Sequence, residues 1–552
     1  MCRPALPRPR PVVADTRVRP SGTERRHGRQ RGRLTANLVA ALAAALALPA
    51  TAVAFEPVAV MGGSGAGKLG APLSVAVDGG GSVYVTEHVN QRVSQFTTAG
   101  AFVRAWGFNV RPGGGKGFEL CTDTTGCKPG LPGGGAGQLG FPGGIAVDGG
   151  GNVYATDPAN DRVSHFTTEG AFVRAFGFGV VPGGGKGLEV CTLATGCKGG
   201  IAGGRAGQLD RPAYVAGDAA GSIYVTDEAN NRVNQFTREG AFVKAWGFNV
   251  TPGGGKGFEL CTNATGCRPG EPGGRAGQLS FPDGIAVDGA GNLYVADANS
   301  RLSQFTTQGA FVRAVGVDVV PGGGTGFETC TPATGCKRGI PGGGAGQLSF
   351  VLGVGTDTAG NVYVADSGNR RVSQFTTDGT FVRAFGLDVV PGGGKDFEVC
   401  TGTTGCKRGR SGAGAGALLL PSAVAADRSG SIYVSDVGSS RIGCFGEPSR
   451  TPCVRNLFDF GALKRDRRRG TASLAVKVPG PGNLVVGGKR VKRVGVHPET
   501  AGAATVRIRP TANARRKLSR NGEAHVRISV TYTPPNGGAN TRLTGIELRK
   551  RR

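Results

Sequence analysis

Along most of the chain, short apolar runs alternate with turn chemistry at a fixed interval. The clearest unit is the stretch from Ser222 to Gly247, SIYVTDEANNRVNQFTREGAFVKAWG. SIYVTD, RVNQF and AFVKAW are rich in β-branched and aromatic residues and read as strands. EANN and TREG between them are turn sequences, so the three strands form a meander. Upstream, RPAYVAGDAAG supplies a fourth strand that ends in an Asp and Gly turn. One unit therefore predicts a four-stranded antiparallel sheet.

Near copies begin at Ser82, Asn152, Asn292, Asn361 and Ser431, in register with the one at Ser222. Their Asp, Asn and Arg positions recur with the strands, which marks those residues as scaffold rather than one site. A sheet that is apolar on both faces must bury both, and stacking it against like sheets around an axis does so. Six copies predict six blades. The stretch from Pro282 to Phe305, PDGIAVDGAGNLYVADANSRLSQF, resembles the NHL repeat. The resemblance covers residues 55–445 and implies an all-β fold, a six-bladed β-propeller, serving as a recognition platform for a protein, peptide or glycan.

Phe55 to Gly62, FEPVAVMG, aligns with the fourth-strand segments AFVRAWG and AFVKAWG, whereas the repeat from Pro421 to Phe445 has only its first three strands. The N-terminal segment is therefore expected to complete the sixth blade. CVRNLFDFG, from Cys453, is the competitor for that place. GGSGAGKL, from Gly62, fits a phosphate-binding loop up to Lys68, but Leu69 stands where a Ser or Thr would hold magnesium. AGKLGAP also aligns with AGQLGFP, so the stretch reads as a connection between repeats.

Cys121, Cys191, Cys261, Cys330 and Cys400 mark a period near 70, against about 40 to 45 residues for a blade. The excess lies between the last strand of one blade and the first of the next, which predicts five insertions crowning one face. Each holds a C-T-x-x-T-G-C pair: Cys121 with Cys127, Cys191 with Cys197, Cys261 with Cys267, Cys330 with Cys336 and Cys400 with Cys406. Cys444 with Cys453 makes a sixth. Even, local pairs in an exported chain read as disulfides. Zinc sites prefer shorter spacing and a nearby second pair or His, so no metal and no cofactor is expected. The flanking positions Phe118, Phe258, Phe327 and Phe397, with Lys128, Arg268, Lys337 and Lys407 after the second Cys, form a candidate binding rim. The competing reading is that the apolar residues tuck the loops down and the charges keep them soluble.

The formal charge of +27 divides unevenly. Residues 1–54 carry 10 Arg against 2 acids, residues 446–552 carry 24 Lys and Arg against 6, and the 391 residues between hold 31 bases and 30 acids. The repeat region is thus neutral, and counterion release gives it no hold on nucleic acid. Residues 1–34 are basic, and LVAALAAALALPATAVA from Leu38 is a short apolar run with an A-x-A exit. Together they read as a signal peptide cut before Phe55. Cys2 leaves with it, and an extracytoplasmic, secreted or envelope-associated monomer is expected.

Residues 446–469 read as a linker. From Gly470 to the end, alternating stretches such as TASLAVKV and AHVRISVTYT predict a small, basic, β-sandwich-like domain, whose charge suits an anionic envelope polymer.

No catalytic set is apparent. Enzymes on propellers break the repeat, and the innermost strands read SVAVD, GIAVD, YVAGD, GIAVD, GVGTD and AVAAD, apolar or small until their shared Asp. NHL-type propellers include lyases that use a metal and several His. Here only His88 and His165 lie in the repeats, and His165, in a slot otherwise held by Gln, reads as a surface polar residue. Two breaks in the symmetry stand out: Glu87-His88, and Tyr214 with Asp210-Arg211. The expectation is a non-catalytic binding or scaffold propeller. A propeller lyase or hydrolase working near blade one, and a structural wall protein, are the alternatives.

Overall fold

The computed structural model describes residues 55–551 apart from 63–64, 413–415, 448–451, 536 and 538, so the signal-peptide expectation lies outside it. The described residues are mostly β. Six antiparallel sheets follow the six repeats, and we label them I to VI in chain order. Their first strands are Pro72–Val77, Ile145–Val147, Pro212–Gly217, Ile285–Val287, Val351–Thr356 and Pro421–Ala426. Each of these packs against the first strand of the next sheet, and that of VI packs against that of I.

Side-chain hydroxyls on the second strands tie the succession together. Thr86 donates to the carbonyl of Gly143 (2.5 Å), Thr156 to Ala213 (2.8 Å) and Thr226 to Asp283 (2.7 Å). Across the join between last and first sheets, Ser435 Oγ donates to Leu73 O at 3.2 Å. Between sheets the packing is aromatic. Trp106 and Trp246 are fully buried, and the hairpin glycine of the following sheet sits on each indole. At Gly170 (φ 87°) an added Cβ would lie 2.6 Å from Trp106, so the turn requires glycine twice over.

Sheets I to V have five strands rather than the expected four. The fifth is the first part of each insertion, such as Phe258–Cys261, which pairs with Phe242–Phe248 from Phe248↔Phe258 to Ala245↔Cys261. The residues Phe-Glu-x-Cys fit an edge strand, and they cover an outer edge that would otherwise be open. Sheet VI has four strands. Its outer one is Glu56–Met61, paired with Arg441–Gly446, so the N-terminal segment takes the place left open by the sequence. The competing segment does something else. Asn456 accepts from Val60 N–H (3.0 Å) and donates to Val60 O (2.6 Å), so its side chain covers the free edge of that strand.

C-terminal to the sixth sheet lie a three-stranded sheet (Asp459–Asp466, Thr471–Val478, Gly502–Ile508) and a four-stranded one (Val491–Val496, Asn483–Gly488, Glu523–Thr533, Asn540–Arg549). The first strand lies in the stretch expected to be linker. It is held because Phe458 enters the same apolar core as Leu474, Leu484, Ile528 and Tyr532. Strict alternation in EAHVRISVTYT sends one face of Glu523–Thr533 inward. One helix, Ala512–Asn521, buries only Ala514 and Leu518 and ends on Gly522 in the left-handed region (φ 76°). Among the described residues no helix is long and apolar enough to cross a membrane.

Candidate functional site

All six expected cysteine pairs are disulfides. Such a set fits an extracellular or otherwise oxidising environment. The five short staples tighten loops that are bonded to the turns between second and third strands: the N–H of Gly130, Gly200, Gly270, Gly339 and Gly409 donates to the carbonyl of Asn90, Asn160, Asn230, Asn299 and Asn369. Insertions and turns therefore share one face.

The repeated Asp–Arg pair organises that face from below. In sheet III, Arg232 and Asp227 are fully buried and 3.0 Å apart. The remaining guanidinium donors reach Gly204 O (2.6 Å), Arg205 O (3.1 Å) and Gln208 O (2.7 Å) in the incoming insertion, and Arg268 O (3.2 Å) in the outgoing one. Sheets II and V repeat this pattern with Arg162 and Arg371. These residues are scaffold.

The candidate rim is largely consumed by packing. Phe118 stacks on Phe166, Phe258 on Phe305, Phe327 on Phe375 and Phe397 on Phe445, each lying between its own sheet and the next. Of the cations, Lys337 pairs with Asp318 and Lys407 with Asp388, both at 2.6 Å. Arg268 Nε donates to Asn249 O, and Lys128 is half-buried. The glutamates beside the rim accept turn N–H groups, as Glu259 does from Thr251 (2.9 Å).

Apolar groups that reach solvent on this face include Leu131, Ile201 and Ile340 of the insertions and three phenylalanines at the bends that lead into first strands. Phe141, Phe281 and Phe350 are 47%, 46% and 64% exposed. With Ala71 and Arg211 at equivalent positions they hold φ between 47° and 57°, a costly conformation for a side-chain-bearing residue. The preceding sheet holds the bend. Gln91 Oε1 accepts from Phe141 N–H (2.6 Å), Asp161 Oδ1 from Arg211 N–H (3.0 Å) and Asn231 Oδ1 from Phe281 N–H (2.9 Å).

On the same face the repeat breaks around sheet III. Asp161, Asp210, Glu228 and Asp283 occupy slots that the other repeats fill with uncharged residues or, once each, with Arg or His. Arg211 lies 3.8 Å from Glu228. Burial, with Asp210 and the carboxylates of Asp227 and Asp157 nearby, raises Asp161 to about 6 against the pull of the Arg211 N–H. Burial, then Glu228 and Asp297, raises Asp283 to about 7. Beside Asp283, Tyr214 is buried and crosses the ring. Its hydroxyl donates to Ser422 O of the opposite sheet VI at 2.7 Å. The sequence flagged Tyr214 and Asp210-Arg211 as departures but missed Asp161, Glu228 and Asp283, which are conspicuous only once all six repeats are aligned on this face.

The first flagged departure is half scaffold. Glu87 takes the buried Asp slot and pairs with Arg92 at 2.6 Å, while His88 lies against Phe141 with ring centroids 5.2 Å apart. His165 is not a surface residue. It is 3% exposed, stacks on Tyr154 at 4.6 Å and meets Asn152 Oδ1 at 2.9 Å, and burial and Arg174 lower it to about 4.

The opposite face holds an open depression of about 550 Å³ lined by Asp78, Asp288, Asp357 and Asp427. Each of these carboxylates accepts a tyrosine hydroxyl, as Asp78 does from Tyr84 at 2.8 Å, and each belongs to the repeat. In the C-terminal part, exposed Glu523 and His525 and half-buried Glu547 bring ligand atoms within 4.8 Å of one another, but Arg549 already engages Glu547 at 3.0 Å.

No protein-family profile and no curated protein matches the chain. Among solved structures it is similar to β-propellers. Virginiamycin B lyase from Staphylococcus aureus is 11% identical over 68% of this chain and 94% of its own, with a TM-score of 0.33. The WD40 β-propeller domain of Doa1 is 10% identical over 72% and 99%, at 0.38. A gluconolactonase from Xanthomonas campestris is 13% identical over 69% and 87%, at 0.35. At these scores the likenesses carry no argument about chemistry.

The raised Asp283 gives a first prediction. Between its ordinary range near 4 and about 7 the folded chain holds a proton that the unfolded chain releases, so this group's contribution to stability falls as pH rises through that window. Asp283→Asn is expected to leave stability unchanged at pH 4 and to raise it at pH 8. The gain should be about 1 to 2 kcal/mol, kept small because the carboxyl is partly exposed to water. Urea melts at the two pH values check it, and an equal effect at both would refute the assignment.

Proposed function

We propose that the chain is an extracytoplasmic six-bladed propeller of the NHL type that recognises a protein or peptide partner on its crowned face, and whose basic C-terminal domain holds it near the cell envelope. The six blades are supported by the closed succession of first-strand contacts. The single observation that carries the recognition reading is the unrepeated patch of Asp161, Asp210, Glu228 and Asp283 beside exposed Phe141 and Phe281. Three exposed phenylalanines on strained backbone near a group of half-buried acids, with Arg211 among them, suit a segment with apolar and basic residues, and loops on a rigid scaffold are where such sites lie. Selection from a random displayed-peptide library tests this. The parent protein should enrich Lys- or Arg-containing apolar sequences. Phe141→Ser/Phe281→Ser/Phe350→Ser, whose changes are all at exposed positions, should not. Equal enrichment by both proteins would sink the reading.

Asp283 favours one second reading, a hydrolase or lyase of the propeller class. A carboxyl near 7 beside the buried Tyr214 is poised to hold or release a proton. Under that reading Asp283→Asn abolishes turnover, whereas under the recognition reading it only weakens peptide capture, because Asp161, Asp210 and Glu228 remain. The residues near blade one are weaker candidates because Glu87 is bound into the scaffold by Arg92, Ser94 and the Gly70 N–H.

A further inference from the structure

Basic runs that are far apart in sequence are brought together around the helix Ala512–Asn521. At its N-terminal end, Thr511 N–H donates to Arg490 O (3.0 Å) and Lys492 N–H to Arg509 O (2.8 Å), which sets residues 489–493 and 507–509 side by side. At its C-terminal end, Lys550 N–H donates to Gly522 O (2.7 Å), Lys550 Nζ to Ser519 Oγ (3.2 Å) and Arg551 N–H to Arg467 O (2.7 Å). Residues 467–522 carry 14 Lys and Arg against one acid, Glu499. The helix presents Arg515, Arg516, Lys517 and Arg520 to solvent, and among the described residues none of them pairs with a carboxylate.

This arrangement works against the helix. No acid stands in its first turn and its N-cap Thr511 makes no side-chain bond, and of its four cations only Arg520 lies in the last turn, where the macrodipole favours positive charge. Like charges gathered without partners repel, and a bound polyanion removes that repulsion. Arginine outnumbers lysine on the helix, which favours phosphate, because the planar fork grips phosphate oxygens in pairs. Residues 467–522 contain no Phe, Tyr or Trp, so the surface has nothing on which the bases of a single-stranded nucleic acid could stack.

We propose that the face formed by the helix Ala512–Asn521 and the neighbouring basic runs is a docking surface for a linear phosphate-bearing polymer of the cell envelope. This rests on the reading of the C-terminal domain as the part that holds the chain near the envelope, and it specifies the residues and the ligand chemistry.

The test uses the full chain from Phe55 and, as probe, long-chain inorganic polyphosphate over a salt series. Arg515→Ala/Arg516→Ala/Arg520→Ala changes exposed positions and favours the helix intrinsically, so the fold should persist, as circular dichroism would verify. The parent is expected to bind, with log affinity falling linearly in log salt. The variant should lose roughly tenfold in affinity and about two units of slope. Lys116→Ala/Lys186→Ala/Lys256→Ala, which removes the same charge from the exposed insertions, should bind as the parent does. Equal losses in both triple variants would show a net-charge effect and overturn the proposal. So would binding to polyglutamate as tight as to polyphosphate, or a clear preference for duplex DNA. If polyphosphate binding behaves as expected while both parent and helix variant remain equally with isolated envelopes, the docking surface stands and the envelope-holding reading fails.

Discussion

Arg232→Ala is expected to lower the stability of the chain by about 3 to 5 kcal/mol, among the largest effects of any single substitution in the repeats. The guanidinium is fully buried, so removing it leaves the Asp227 carboxylate without its counter-charge. That carboxylate keeps the N–H of Asp210 (2.8 Å) and the amides of Asn230 (2.9 Å) and Asn234 (2.8 Å), which soften the loss without neutralising it. Burial pushes Asp227 up and Arg232 is the main group holding it down, so in the variant the carboxyl takes a proton at higher pH. Its destabilisation should therefore shrink toward acid pH. The carbonyls of Gly204, Gln208 and Arg268 lose their donor at the same time, whereas Arg205 O keeps the Gln208 N–H (3.0 Å), and each buried unpaired carbonyl costs about 1 to 3 kcal/mol unless the loop moves out to water. The expected signature is thus double: a lower urea midpoint, and new protease cleavage between residues 203 and 209 under native conditions. Arg232→Lys retains charge but not the fork, and should recover part of the stability and little of the loop protection. A loss below 1 kcal/mol in the alanine variant would mean that the pair is not the anchor the geometry makes it.

This anchor explains how much was legible in the chain. The repeat carries Asp, Asn and Arg at fixed offsets because the junctions between sheets and insertions need the same set of polar groups, and Arg in all six repeats with Asp and Asn in five each is visible without a structure. Strand positions were readable for the same reason. The fifth strand was not, since Phe-Glu-x-Cys is only four residues long and its pairing depends on the edge of Phe242–Phe248 and its counterparts. The rim phenylalanines could be read either as a binding rim or as residues that tuck the loops down, because the sequence does not say that Phe258 lies over Phe305 of the next sheet. Phe281 was passed over for the opposite reason. Its exposure follows from a left-handed bend before Pro282, held by an Asn231 side chain 50 residues upstream. His165 shows the limit of slot-by-slot reasoning, because a Gln slot that looked superficial is lined by the Tyr154 ring. The charge of the tail was plain, but the gathering of its basic runs around one helix depends on pairings between residues up to 84 positions apart, as between Arg551 and Arg467.

Tyr214→Ala is expected to cost about 3 to 5 kcal/mol, comparable to the Arg232 variant but by a different route. The first strands approach closely because they carry small residues. A Cβ on Gly144 would lie 2.5 Å from the Tyr214 Cα, and one on Gly353 2.5 Å from the Ala423 Cα. A ring packed to that density cannot collapse to fill the space that a tyrosine leaves, so the cavity term is paid nearly in full. The hydroxyl adds a second contribution. It joins sheet III to sheet VI directly across the ring through Ser422 O, whereas every hydroxyl link between neighbours joins adjacent sheets only. Tyr214→Phe should therefore lose about 1 kcal/mol with the ring still filled. The two variants separate filling from bonding. If Tyr214→Ala alone lowers the urea midpoint sharply, the side chain acts as a plug. If Tyr214→Phe falls as far, the bond to Ser422 is what holds the first and second halves of the ring in register. The alanine variant also bears on function, because Asp283 sits beside the tyrosine and burial is the chief cause of its raised value. Water entering the vacated space should return Asp283 toward the ordinary carboxylate range. The pH-dependent gain expected for Asp283→Asn should then disappear in the Tyr214→Ala background, and its persistence would show that Glu228 and Asp297, rather than burial, set that carboxyl.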